Sequence, residues 1–193
     1  MFFMDIIEVY SFNKGLEIIR EKYNKELKEV VEAVRMVNSK LMKTKVSKEK
    51  TMSGKKLFSP VALNKAILDN NLYNKGWSKP KIALDGKNSF IEADGVKGDV
   101  GLEVQFGKYA FLGWDIFGKM PIFAKNNNYK VGIEIVPTKN LQKQMSTGVG
   151  SFTHIVSLLE KRGVSNVDIP ILILGIGEKD HNKEKVDKIL KLN

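Results

Sequence analysis

The run Ile169 to Ile176 (IPILILGI) limits the possible folds of this chain more than any other stretch. No polar side chain interrupts it, so it cannot be a strand with one face in water. An unbroken apolar strand is covered on both faces, as the central strand of a sheet is. The covering layers must be helices, and the chain supplies them. Apolar residues at Leu16, Ile19, Tyr23, Leu27, Val30, Val34, Val37 and Leu41 recur in steps of three and four, which predicts one face of a long helix. That stripe either packs on the sheet or takes a share in a dimer seam. Pro60 to Tyr73 fits a short helix capped by Ser59, with Pro60 in its first turn. Phe111 to Phe123 carries Trp114, Phe117 and Met120 at helical spacing and reads as core. Val131 to Val136 is a strand closed by Pro137, and Thr138 can cap a short helix running to Met145. A helix over Phe152 to Lys161 and a polar one over Glu178 to Leu192 complete the pattern. The expectation is an α/β fold, a mixed central sheet flanked by helices, in a single domain over residues 1–193 without internal repeats.

The chemistry concentrates in a predicted hairpin. Asn88 to Asp94 (NSFIEAD) and Val100 to Phe106 (VGLEVQF) read as strands joined by a polar stretch containing Gly95, Lys97, Gly98 and Asp99. Side chains alternate along a strand, so Glu103 and Gln105 emerge on one face, about 7 Å apart at Cα. Val104 points the other way, into the core. The hairpin brings Asp94 back toward that pair, whereas Asp99 lies in the turn, too far along to join it. Two carboxylates and an amide oxygen are hard donors that suit Mg²⁺ better than Zn²⁺. The same spacing also describes two surface acids on an amphipathic hairpin.

Charge narrows the partners. Thirty-two basic residues stand against 22 acidic ones, a net charge of +10, which suits a polyanion such as nucleic acid. Lysines 43, 45, 48, 50, 55 and 56 crowd one stretch that contains a single acid, Glu49. Residues 43–56 therefore read as a loop or arm, either merely solvated or in contact with phosphates. There is no cysteine, so disulfides and thiolate sites are excluded. Asp5 and Glu8 in the short apolar opening run argue against a cleavable signal peptide. No apolar stretch reaches membrane-spanning length, so a cytoplasmic protein is expected. Gly54-Lys55-Lys56 is no phosphate loop, because Glu49 stands where its first glycine is required. With His154 and His181 the only histidines, a zinc or histidine-dependent centre is disfavoured.

The segment Glu103 to Tyr109 (EVQFGKY) resembles the matching segment of the BglII and BstYI restriction endonucleases, the BstYI type more closely. The resemblance extends in order over IEVYS (7–11), SKEKT (47–51), SPVALN (59–64), KGW (75–77), VGIEIVP (131–137), QMSTG (144–148) and ILILGIG (171–177). It implies a restriction-endonuclease-like core and Mg²⁺-dependent cleavage of double-stranded DNA by a homodimer. Asp94 and Glu103 would be the metal ligands, with the carbonyl of Val104 completing the shell. Gln105 would be the third catalytic position. Most nucleases of this fold class have a lysine there; glutamine carries no charge and can only orient water by hydrogen bonding. Proton removal then falls to metal-bound hydroxide, to Glu103 or to a neighbouring phosphate.

For base reading, Lys108 matches the lysine of the BstYI type, and Thr147, beside Ser146, matches a serine there. Lysine can donate to guanine O6 and N7. The implied site is RGATCY, cut to leave four-base 5′-GATC overhangs with 5′-phosphates, and Lys43, Lys45 and Lys48 would contact phosphates. Two other readings keep the same fold: a catalytically inert DNA-binding protein and a structure-specific nuclease.

Overall fold

The computed structural model describes residues 2–85, 88–178 and 183–192; His181 lies outside them. In chain order the elements are β1 (Met4–Phe12), α1 (Gly15–Lys22), α2 (Asn24–Arg35), α3 (Ser39–Met42), β2 (Lys45–Val46), β3 (Lys56–Leu57) and α4 (Pro60–Ile67). They continue with β4 (Lys81–Asp85), β5 (Ser89–Glu92), β6 (Gly95–Lys97), β7 (Val100–Val104), α5 (Tyr109–Trp114) and α6 (Met120–Lys125). Last come β8 (Val131–Pro137), α7 (Lys139–Gln142), α8 (Phe152–Arg162), β9 (Ile171–Glu178) and α9 (Lys183–Leu190). Wider π turns extend α4 over Leu68–Leu72 and join α5 to α6 over Asp115–Lys119.

A five-stranded mixed sheet runs β1-β9-β8-β7-β6. The β7–β8 and β8–β9 pairs are parallel; β1–β9 and β6–β7 at the two edges are antiparallel. The apolar run enters β9 at Ile171 and is interior, between β1 and β8, as its composition requires. On one face Leu102, Val104, Ile133, Ile135, Leu172 and Leu174 pack against the stripe of α1 and α2 and against α4. On the other face Ile171 and Ile173 meet α8 and the α5–α6 segment through Ile116, Met120, Phe123 and Ile155.

Several expectations change. The single long helix is three helices: it breaks at Tyr23 (φ −132°, ψ 35°), whose hydroxyl donates to Asp99 (3.1 Å), and again before α3, where Asn38 is extended (φ −76°, ψ 109°). Its stripe from Leu16 to Val37 is spent in the core, which removes it from any dimer seam; Leu41 alone of its outer members is 65% exposed. Lys81 to Leu84 is not loop but part of β4. That strand pairs with β5, so the first half of the predicted hairpin belongs partly to a separate two-stranded sheet. The hairpin proper is β6–β7, turning through Gly98 and Asp99, with Gly98 at φ +54°. The lysine-rich stretch 43–56 carries the short β2–β3 pairing rather than open loop alone. The opening apolar run forms edge strand β1. The Ser59 and Thr138 caps form as expected, accepting from the N–H groups of Ala62 and Leu141 at 3.3 Å each.

Candidate active site

Asp94 sits where the chain passes from β5 to β6, and its placement is fixed by backbone. The Val104 N–H donates to its Oδ2 (2.9 Å), and the Tyr73 hydroxyl donates to its carbonyl (2.8 Å). The hairpin thus carries Asp94 back to the end of β7, as the spacing implied. Glu103, 1% exposed, projects from β7 onto the face opposite Val104. Val104 packs its side chain in the core, while its carbonyl receives the Asn64 amide at 3.3 Å. Asp99 is turned away, paired with Lys130 (3.0 Å).

Gln105 is placed differently from the expectation. Its Nε2 donates to Asp115 Oδ2 (2.6 Å) and its Oε1 accepts from the Gly107 N–H (2.7 Å), so both ends of the amide are engaged within the protein.

Three charged residues join this centre that sequence reasoning passed over. Asp115 and Lys119 come from the π turn, four apart in the chain and on one side of the helix. Lys119 Nζ lies 2.6 Å from Glu103 Oε2 and 2.9 Å from Asp115 Oδ1. The approach to Glu103 is off the hydrogen-bonding line, so the contact is an ion pair held by charge. Glu134, on β8, is paired in register with Glu103 and is fully buried; among the described residues neither of its oxygens has a hydrogen-bond partner. A signal existed for each. Asp115 and Lys119 are a charge pair at helical spacing in an apolar segment, and Glu134 is a lone acid inside the otherwise apolar VGIEIVP strand.

The electrostatics follow from burial. Desolvation pushes the Glu103 carboxyl well above its ordinary range, reinforced by Asp94 and opposed by Lys119. Glu134 is raised in the same way, by burial first and then by Asp115 and Glu103. Asp94 is raised by burial against the opposing Val104 N–H. A site of crowded, poorly solvated carboxylates favours a cation. The donors left over are one oxygen each of Asp94 and Glu103 and the weakly bonded Val104 carbonyl, all hard oxygens that fit Mg²⁺. Among the described residues no three acidic, histidine or cysteine side chains gather as a metal cage, so carbonyl and water oxygens would have to complete any shell.

The residues expected to read DNA lie together at one edge. Lys108 is exposed, and its backbone forms a bridge to Val149, just beyond Ser146 and Thr147. The lysine-rich segment clasps that loop from the other side. Lys43 donates to Gln144 (2.9 Å), Lys45 reaches Ser146 Oγ, and the Glu49 carboxylate accepts from the Thr147 N–H (3.1 and 3.2 Å). Lys48 is exposed on the same hairpin. His154 is structural in its contacts, stacking on Tyr109 with ring centroids 5.5 Å apart.

A mixed sheet with a carboxylate pair at the end of its β6–β7 hairpin is the arrangement expected of a nuclease of the restriction-endonuclease-like class. Comparison with known proteins narrows the class. Residues 7–176 match the family of restriction endonuclease BglII/BglIII. The chain belongs to that family, and is with it a type II site-specific endonuclease. Among solved structures it is similar to restriction endonuclease BglII complexed with a DNA 16-mer, with a TM-score of 0.73 and 24% identity over 90% of this chain and 79% of that one. No curated protein matches the chain significantly. Among the described residues no helix is long and apolar enough to cross a membrane.

Proposed function

We propose that this enzyme cleaves double-stranded DNA at the palindrome RGATCY in a Mg²⁺-dependent reaction. It would act as a homodimer and leave four-base 5′-GATC overhangs with 5′-phosphates. The observation that carries the metal-dependent reading is the locking of Asp94 onto the Val104 N–H, which holds its carboxylate near enough to act electrostatically on the buried Glu103.

Asp94, Glu103 and the Val104 carbonyl would hold the ion. When bound, Mg²⁺ supplies charge neutralisation at the phosphorus and lowers the pKa of a coordinated water. The protein's own groups do the rest. The Val104 N–H orients Asp94, and burial keeps bulk water from Glu103. Gln105 braces Asp115 instead of acting as a base. Lys108 and Thr147, joined through the Val149 bridge, would meet the outer base pair, and Lys43, Lys45 and Lys48 would meet phosphates. The dimer seam falls to the exposed aromatic face of α5, where Phe111 and Trp114 are 54% and 45% exposed.

Digestion of plasmid DNA with Mg²⁺ and then with EDTA tests the reading. Discrete bands whose sequenced ends read 5′-GATC, lost in EDTA, are expected. Asp94→Asn and Glu103→Gln should abolish cutting while retaining specific binding in a gel shift. Cleavage by either variant within tenfold of wild type would remove the metal assignment. No cutting by the wild type would favour an inert DNA-binding protein, and cutting only at junctions or flaps a structure-specific nuclease.

A further inference from the structure

Gln105 occupies the position where a charged lysine is usual in this fold class, yet the buried centre does contain a cation. Lys119 reaches it from the π turn between α5 and α6, with only 14% of its side chain exposed. Glu103, Lys119, Asp115 and Gln105 form a chain of contacts. Lys119 touches Glu103 and Asp115, and Asp115 in turn accepts from the Gln105 amide. The π turn matters here, because such widened turns re-aim side chains at functional sites. Two carboxyls, Glu103 and Asp115, contact this one ammonium directly, and its charge is felt by two more, Asp94 and Glu134. Lys119 covers Glu103 Oε2, while Glu103 Oε1 is buried without a hydrogen-bond partner among the described residues.

We propose that Lys119 is a positioning residue of the nuclease centre: its ammonium reserves one oxygen of Glu103 and leaves the other to the divalent cation. The proposal rests on the reading that Asp94 and Glu103 hold that cation. A carboxylate with both oxygens free can take a metal ion bidentately, whereas Mg²⁺ demands near-ideal octahedral geometry. Removing Lys119 frees the second oxygen and also withdraws a positive charge from among the acids. Both changes tighten metal binding while spoiling its placement. A side chain that only props up the fold would, when lost, weaken metal binding and cleavage together.

The test uses the full chain. Mn²⁺ affinity without DNA is measured by titration calorimetry, and single-turnover cleavage of RGATCY DNA is measured at saturating Mg²⁺. Lys119→Gln should bind Mn²⁺ at least tenfold more tightly and cleave at least a hundredfold more slowly, with Lys119→Arg within tenfold of wild type in both. Unchanged or weaker Mn²⁺ binding, or wild-type cleavage, in Lys119→Gln would overturn the proposal. If that variant does not fold, the absence of cysteine from the chain opens a second route. Lys119→Cys can be alkylated in denaturant with 2-bromoethylamine, restoring an ammonium, or with iodoacetamide, restoring bulk alone, and then refolded. The ammonium form should match wild type in metal affinity and rate; equal behaviour of the two forms would refute the role of charge. Glu103→Gln runs in parallel. A wild-type response there sinks the metal reading and the Lys119 proposal with it, while a dead Glu103→Gln leaves the Lys119 variants to judge the proposal alone.

Discussion

Glu134→Gln should remove a pH dependence of stability from the metal-free enzyme. Glu134 is fully buried, neither oxygen finds a partner among the described residues, and its carboxyl is raised well above the ordinary 4.5 by desolvation, then by Asp115 and Glu103. An acid whose folded pKa exceeds its unfolded one binds more protons in the native state. Stability therefore falls as pH rises from the unfolded pKa to the folded one. Below that window the group is neutral in both states and costs nothing; above it the native state bears the whole cost of a buried charge. Within the window one proton separates the two states, so the slope approaches about 1.4 kcal/mol per pH unit. As pH rises through that range the wild type should lose stability that Glu134→Gln does not lose.

Urea unfolding of both proteins in EDTA across that range measures the effect. The glutamine brings its own buried amide, and an unpaired polar group costs about 1–3 kcal/mol. That offset is independent of pH, so the decisive quantity is how the difference between the two proteins changes with pH. The gap must move in favour of the variant as pH rises. A gap constant across the range, or one moving the other way, would refute a carboxyl held protonated by burial.

Replacing Lys43, Lys45 and Lys48 together with alanine should weaken binding to all DNA sequences alike. The salt dependence should flatten by roughly 0.9 in log–log slope per lost phosphate contact; unchanged affinity at moderate salt would make the cluster merely solvated. Gly101→Ala should destabilise by about 1–3 kcal/mol through overpacking, because a Cβ there would stand 2.4 Å from the ring of buried Tyr129. An unshifted urea midpoint would contradict that geometry. Light scattering should find the free protein near 44 kDa, about twice the 21.8 kDa chain, and Trp114→Glu should shift it toward monomer. A persistent single-chain mass, alone and on cognate DNA, would defeat the dimer.

The layers of the fold were legible where one constraint dominated. Ile171 to Ile176 has no polar side chain, and only an interior strand accommodates that. The stripe from Leu16 to Val37 predicted the covering face correctly even though the helix breaks at Tyr23, because each segment keeps its apolar side toward the sheet. The break itself was not legible: Tyr23 fits helical spacing, and what removes it from helical geometry accompanies a contact with Asp99, 76 residues away. The β4–β5 pairing was missed for a related reason. Ser89 to Glu92 has strand composition, but no local feature states whether its partner is β4 or β7, and Ala93-Asp94 divides the two sheets.

The candidate site was half legible, and the division has a physical cause. Asp94 and the end of β7 belong to neighbouring segments, so one hairpin suffices to bring Asp94 to Val104, beside Glu103 in the chain. Asp115, Lys119 and Glu134 reach the same place only through tertiary packing, by the α5–α6 segment crossing the sheet and by the parallel β7–β8 register. The helix could have been read further than it was. A segment as apolar as FLGWDIFGKMPIF does not bury two charges four residues apart unless they answer each other and something on the facing layer. The facing layer carries Glu103 and Glu134, two acids in register on adjacent parallel strands. A buried lysine opposite such a pair offsets part of their repulsion, and Lys79 bears on Asp94 as well, yet Asp94 and Asp115 add their own acids and the centre stays acid-rich. That residual negative charge, placed where Asp94 is locked to the end of β7, would favour a divalent cation at this point of the fold, as the proposed function requires.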